Sequence, residues 1–75
     1  MKERYIKLMN ELGFESSADN ADNMTPEEMV KECEYRLEGY YAEGNSYHDL
    51  KYDEPKAWKS ETDKLKRFIK RYNEK

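Results

Sequence analysis

Met24-Thr25-Pro26-Glu27-Glu28-Met29 decides how this chain folds. Thr25 is an N-cap residue and Pro26 takes the first helical position. Glu28 follows three residues after Thr25, where its carboxylate can reach back to the cap N–H. Met24 and Met29 occupy the two ends of a hydrophobic staple. Glu27 and Glu28 lie where the positive end of the helix dipole favours negative charge. Beyond this start, Val30, Cys33, Leu37 and Tyr40 or Tyr41 recur at steps of three and four, the period of one helix face. The stretch predicts a helix over 26–43 with Gly44 as its stop. Gly39 lies inside it, at about 1 kcal/mol against Ala, and a break there is the alternative.

Downstream, Pro55 opens a second long helix over 55–73, with Asp53 or Glu54 as its cap. Trp58, Thr62, Leu65, Phe68, Ile69 and Tyr72 form one stripe, with Ala57 at its edge. Lys56, Lys59, Lys64, Lys66, Arg67, Lys70 and Arg71 fall on the other side. Trp58, Leu65, Phe68 and Ile69 are the expected core donors. Glu61 falls inside the apolar arc, either as a boundary residue reaching water or as a carboxylate held by a tyrosine hydroxyl or Arg36.

Upstream, Tyr5, Leu8, Met9 and Leu12 mark a short helix over 2–12. Gly13 is its left-handed stop, and Phe14 folds back on it. Residues 15–24 are acidic, lack apolar periodicity and read as a loop. A calcium loop is excluded there, because counting from Asp19 the third position is Ala21 and the sixth is Met24. Residues 45–54 read as a tyrosine-rich connector in which Ser46 and Asp49 cap one turn and Tyr47, Leu50 and Tyr52 plug the core. The expected fold is all-α. One domain over 1–75 packs a short first helix on two longer antiparallel helices.

With 75 residues the chain holds one domain at most. Charged residues are 41% of it, yet seven Tyr, two Phe and one Trp argue against disorder. No apolar run has the length of a membrane span, and Met1-Lys2-Glu3-Arg4-Tyr5 leads into no signal region. The single Cys33 makes neither an internal disulfide nor a zinc site, so a cytoplasmic location is expected. The net charge of −3 conceals an asymmetry. Residues 13–54 carry 3 basic and 12 acidic side chains; residues 55–75 carry 8 basic and 3 acidic. The bland account is that the two blocks cancel inside the molecule. The functional account is that one face is presented to a partner.

No catalytic set is legible. His48 beside Asp49 has no nucleophile that the sequence places near it, and Cys33 lies on an apolar stripe. The three glycines are isolated, so no phosphate loop exists. Neither cofactor nor metal is expected, and the chain reads as a non-enzyme. Five tyrosines between Tyr35 and Tyr52 exceed what a small core needs, and tyrosine is a frequent interface anchor. The expected function is a protein-binding module contacting its partner through Glu27, Glu34, Glu38, Tyr41, Glu43, Tyr47, Asp49 and Tyr52. In size and charge the chain resembles accessory and inhibitor proteins of phages and mobile elements. Among these, anti-CRISPR proteins act on nucleic-acid-processing proteins by occupying their nucleic-acid groove, as a DNA mimic does. That resemblance implies a nucleic-acid-binding protein as partner. The alternative is a nucleic-acid-binding module, as a dimer in one version, using a basic face of Lys59, Lys66, Arg67 and Lys70. Tight binding to bare nucleic acid is not expected, nor is a membrane partner.

Overall fold

A computed structural model describes residues 1–73. Five α-helices follow one another: α1 (Lys2–Glu11), α2 (Glu15–Asp19), α3 (Pro26–Tyr41), α4 (Ser46–Asp53) and α5 (Pro55–Asn73), with a 3-10 turn at Asn20–Asn23 between α2 and α3. The all-α class is as expected, and no strand occurs among the described residues.

The start of α3 follows its sequence closely. Thr25 Oγ1 accepts from the Glu28 N–H at 3.2 Å, and Glu28 Oε1 accepts from the Thr25 N–H at 2.8 Å. Met29 is buried, and Met24 packs half-buried against the core cluster to which Met29 belongs. The end of α3 differs. It stops at Tyr41, where Ala42 turns to extended backbone, and Gly44 reverses the chain at φ +85°. Gly39 does not break the helix. A Cβ there would lie 3.3 Å from Asn45 Nδ2, so the missing side chain lets α4 approach α3 closely. At α1, Gly13 has φ +83°. Its N–H reaches Asn10 O at 3.2 Å while the Phe14 N–H reaches Met9 O at 2.7 Å, the paired bonds of a Schellman stop.

Two segments expected to be irregular are helical. Residues 15–23 form α2 and the 3-10 turn because Phe14, Ala18, Ala21 and Met24 recur at steps of four, three and three. Phe14, Ala18 and Ala21 are buried in the core. Two alanines carry little hydrophobic weight among polar neighbours, so the period is faint in the sequence. Residues 45–54 form α4, capped by Asn45, whose side-chain oxygen accepts from the Tyr47 N–H at 2.9 Å. The cap is therefore Asn45, one residue ahead of Ser46. Tyr47 and Leu50 pack on the core as expected, but Tyr52 is 71% exposed and does not.

The core joins Tyr5, Leu8 and Met9 of α1, Met29, Val30, Cys33 and Tyr40 of α3, and Leu65 and Phe68 of α5. Thr62 is buried with them, its hydroxyl donating to Lys59 O at 3.0 Å. Trp58 and Ile69 are only half-buried, against expectation. Trp58 sits at the boundary because its indole N–H donates to Tyr40 O at 2.8 Å, satisfying a carbonyl that the end of α3 leaves open. Tyr40 donates its hydroxyl to Glu61 Oε1 at 2.6 Å, so a tyrosine hydroxyl holds that carboxylate. Tyr40 meets Trp58 and Glu61 early in α5, while Leu37 and Glu34 share a groove with Ile69 late in it. The contacts therefore run in opposite senses, and α3 and α5 are antiparallel.

Candidate functional site

At 100° per residue, Glu27, Glu34 and Glu38 fall within a narrow strip along α3. All three are exposed, and none makes an ion pair with another described residue. Tyr41 closes the strip at the helix end. Its ring, 47% exposed, meets Trp58 edge-on at 5.3 Å between centroids, and Lys66 Nζ lies 5.4 Å from its centre. The Tyr41 side chain holds the Lys66 pKa above its ordinary value.

Between α3 and α5 the strip borders a groove of about 460 Å³. Leu37, Tyr41, Ala42 and Ile69 supply its apolar lining, and Glu34 and Glu38 stand at its rim. The groove exists because Leu37 and Ile69 are only partly covered where the late part of α5 runs beside α3. Ala42 and Ile69 are site residues that periodicity alone does not reveal. Tyr35 is another. It is 65% exposed on the outer side of α3 with Arg36 stacked 5.7 Å from its ring centre.

The remaining expected residues are spread out. Glu43 and Asp49 are exposed on the turn after α3 and on α4, and they pair with no described residue. Tyr52 is exposed beside His48, with ring centres 5.7 Å apart. Tyr47 lies between Phe14 at 5.3 Å and Tyr40 at 5.1 Å, its ring engaged in the core. The structure thus brings Glu34, Glu38 and Tyr41 together, with Glu27 on the same strip, and half-buried Tyr47 shares a second groove with Glu38 and Ala42 on the α4 side of α3.

The basic face divides as well. Lys59 pairs with Asp63 at 3.6 Å, Lys66 covers Tyr41, and Arg67 Nε donates to Asp63 O at 3.4 Å. Lys70 is exposed in the last turn. Among the described residues no ion pair joins α3 to α5, although the two helices pack together. Direct pairing therefore does not account for the charge asymmetry.

Beneath the surface, Glu32 Oε2 accepts from Ser17 Oγ at 2.9 Å and from Arg36 Nε at 2.8 Å, while Arg36 Nη2 reaches Ser17 Oγ at 3.1 Å. The guanidinium lies 4.3 Å from the Phe14 ring centre. This closed set ties α2 to α3. Burial pushes the Cys33 thiol up to about 12, with Glu32 and Glu34 adding to the effect, so at neutral pH it is no nucleophile. Among the described residues no three of His, Cys, Asp and Glu gather to hold a metal ion, and no helix is long and apolar enough to cross a membrane. No family model, curated protein or solved structure matches the chain.

Proposed function

We propose that this chain is a non-enzymatic binding module that docks a basic surface of a protein partner on the α3 carboxylate strip and the groove beside it. The supporting observation is the set of exposed Glu27, Glu34 and Glu38, none in an ion pair with a described residue, two of them at the rim of an apolar groove, while a basic helix packs alongside. Such a surface is complementary to an apolar side chain flanked by Lys or Arg. Nucleic-acid-processing proteins carry basic surfaces for phosphate, and a carboxylate strip can occupy one in place of the phosphates. An accessory or inhibitory action follows from that occupancy. The charge sets the association rate, and the aromatic anchor sets the dissociation rate.

Co-purification from the source cell, repeated after nuclease digestion, identifies a partner and separates protein from nucleic acid. With that partner, the double variant Glu34→Lys/Glu38→Lys should associate roughly tenfold more slowly, the low end of electrostatic steering, and with less salt dependence. Tyr41→Ala should mainly speed dissociation. Tyr41 is the anchor to test because the Tyr47 ring is engaged in the core. Unchanged kinetics in both variants would place the interface elsewhere.

A further inference from the structure

The opposite flank of α5 is built differently. Arg4, Lys7, Leu8 and Glu11 of α1 and Lys64, Arg67, Phe68 and Arg71 of α5 enclose a groove of about 310 Å³. Five of these eight side chains are cationic and one is acidic. Glu11 is already paired with Lys64 at 3.3 Å. Arg4, Lys7 and Arg71 are exposed and make no ion pair with a described residue. Stepping 100° per residue from Leu65, Lys64, Arg67 and Arg71 lie on one side of α5 and Lys66 and Ile69 on the other. This groove and the acidic strip therefore work from opposite flanks of one helix.

We propose that the α1/α5 groove receives the phosphate backbone of a nucleic-acid strand without reading its sequence. Charge complementarity selects the occupant. Lys64 to Arg71 spans roughly 10 Å at the helical rise, the axial length of about three phosphates of one duplex strand. Three of the cations are arginines, whose planar fork matches phosphate oxygens. The floor residues Leu8 and Phe68 are each only 7% exposed. They cannot stack on bases, and Met1, exposed beside Arg4 and Arg71, is too small an apolar surface to anchor the face in a bilayer. Contact is thus to charge alone. Affinity for free nucleic acid is low in a chain of net charge −3. The groove serves best where a partner docked on the other flank already holds a strand nearby. That benefit rests on the function proposed above, but phosphate binding by the groove does not.

A short labelled duplex of mixed sequence, titrated with the whole chain at low salt, tests the proposal without any partner. Three contacts give a slope of about −2.7 in log K against log salt, so affinity should fall roughly 40-fold between 50 and 200 mM. Arg4→Glu/Arg71→Glu removes two contacts, and the fall should shrink to roughly 3- to 4-fold with weaker binding throughout. Both positions are exposed, and circular dichroism checks that the variant is folded. Glu34→Lys/Glu38→Lys should leave the slope unchanged, so loss of partner binding and loss of phosphate binding are separable. No binding at low salt, a slope unmoved by the Arg4/Arg71 variant, or binding only to vesicles of anionic lipid would each overturn the proposal.

Discussion

The two long helices, α3 and α5, obey different rules over their length. α5 separates its apolar and basic sides cleanly and carries Lys70 and Arg71 in its last turn, where the dipole favours cations. α3 begins as well as a helix can, with both bonds of its capping box formed. Its second half is another matter. Glu34 and Glu38 repel at i,i+4, Gly39 lowers propensity, and the last turn has no basic residue. The contrast teaches where stability is the governing demand and where something else is. Local rules fail most often at functional sites, and here they fail beside the groove and the unpaired carboxylates.

The largest effect expected is in the C-terminal half of α5. Phe68 is buried, and its ring lies 6.0 Å from that of Tyr5, so it ties α1 to α5. Phe68→Ala should cost about 3–5 kcal/mol, a large part of what a domain this small holds. Thermal or urea melting measures it. A parent-like midpoint would mean that α5 is not the main source of packing energy, and the comparison would lose one side.

A second break comes from high pH and falls on the other elements. Burial raises Cys33 of α3 from 9.0 to about 12. It raises Tyr5 of α1 from 10.0 to about 12. Tyr40 of α3 is raised too, by burial and then by its bond to Glu61. Each is favoured neutral in the folded state. The contribution of Cys33 and Tyr5 is therefore whole below about pH 9, begins to fall once the unfolded thiol ionises, and is lost as pH rises through about 12, while that of Tyr40 persists higher. A melting series across that range should show a steady decline, and Cys33→Ala should delay its onset. A flat profile would mean that these groups are wetter than their burial indicates.

The difference between the helices also marks what was legible in the sequence. The cap at Thr25, the stop at Gly13 and the core role of Leu65 and Phe68 each depend on near neighbours in the chain, and each is readable. α2 rests on two alanines whose fit depends on how closely α1 approaches. α4 rests on an Asn45 cap seated over Gly39, a contact between helices. Neither has a strong local signal. The acidic strip was legible as spacing on one helix. The groove beside it joins Leu37 to Ile69, thirty-two positions apart in the chain, and only packing creates it. The basic groove combines Arg4 and Lys7 with the last helix for the same reason.

A smaller loss is expected at the readable end of α3. Thr25→Ala removes the acceptor for the Glu28 N–H and should cost roughly 0.5–2 kcal/mol. Hydrogen exchange sharpens the comparison. Protection should fall in the first turn of α3 and stay level in α5. Equal loss in both would make the two helices one cooperative unit and leave no separate role for the cap.

The smallest effect carries the opposite sign. Glu38 is exposed, unpaired and in the last turn of α3. Glu38→Lys replaces repulsion with Glu34 by attraction in the favourable Glu-before-Lys order, worth about 0.2–0.5 kcal/mol. It also places a cation at the negative end of the dipole, worth about 0.3–1 kcal/mol at low salt. The two gains overlap, because both are charge effects at one position. A rise of about 0.5 kcal/mol is the reasonable sum, and it should fade as salt screens it. A residue whose reversal strengthens the fold is not kept by the fold. If Glu38→Lys melts higher than the parent at low salt, the acidic half of α3 is carried for a contact outside the chain. If it melts lower, Glu38 has an internal partner after all, and the second half of α3 is as much part of the scaffold as α5.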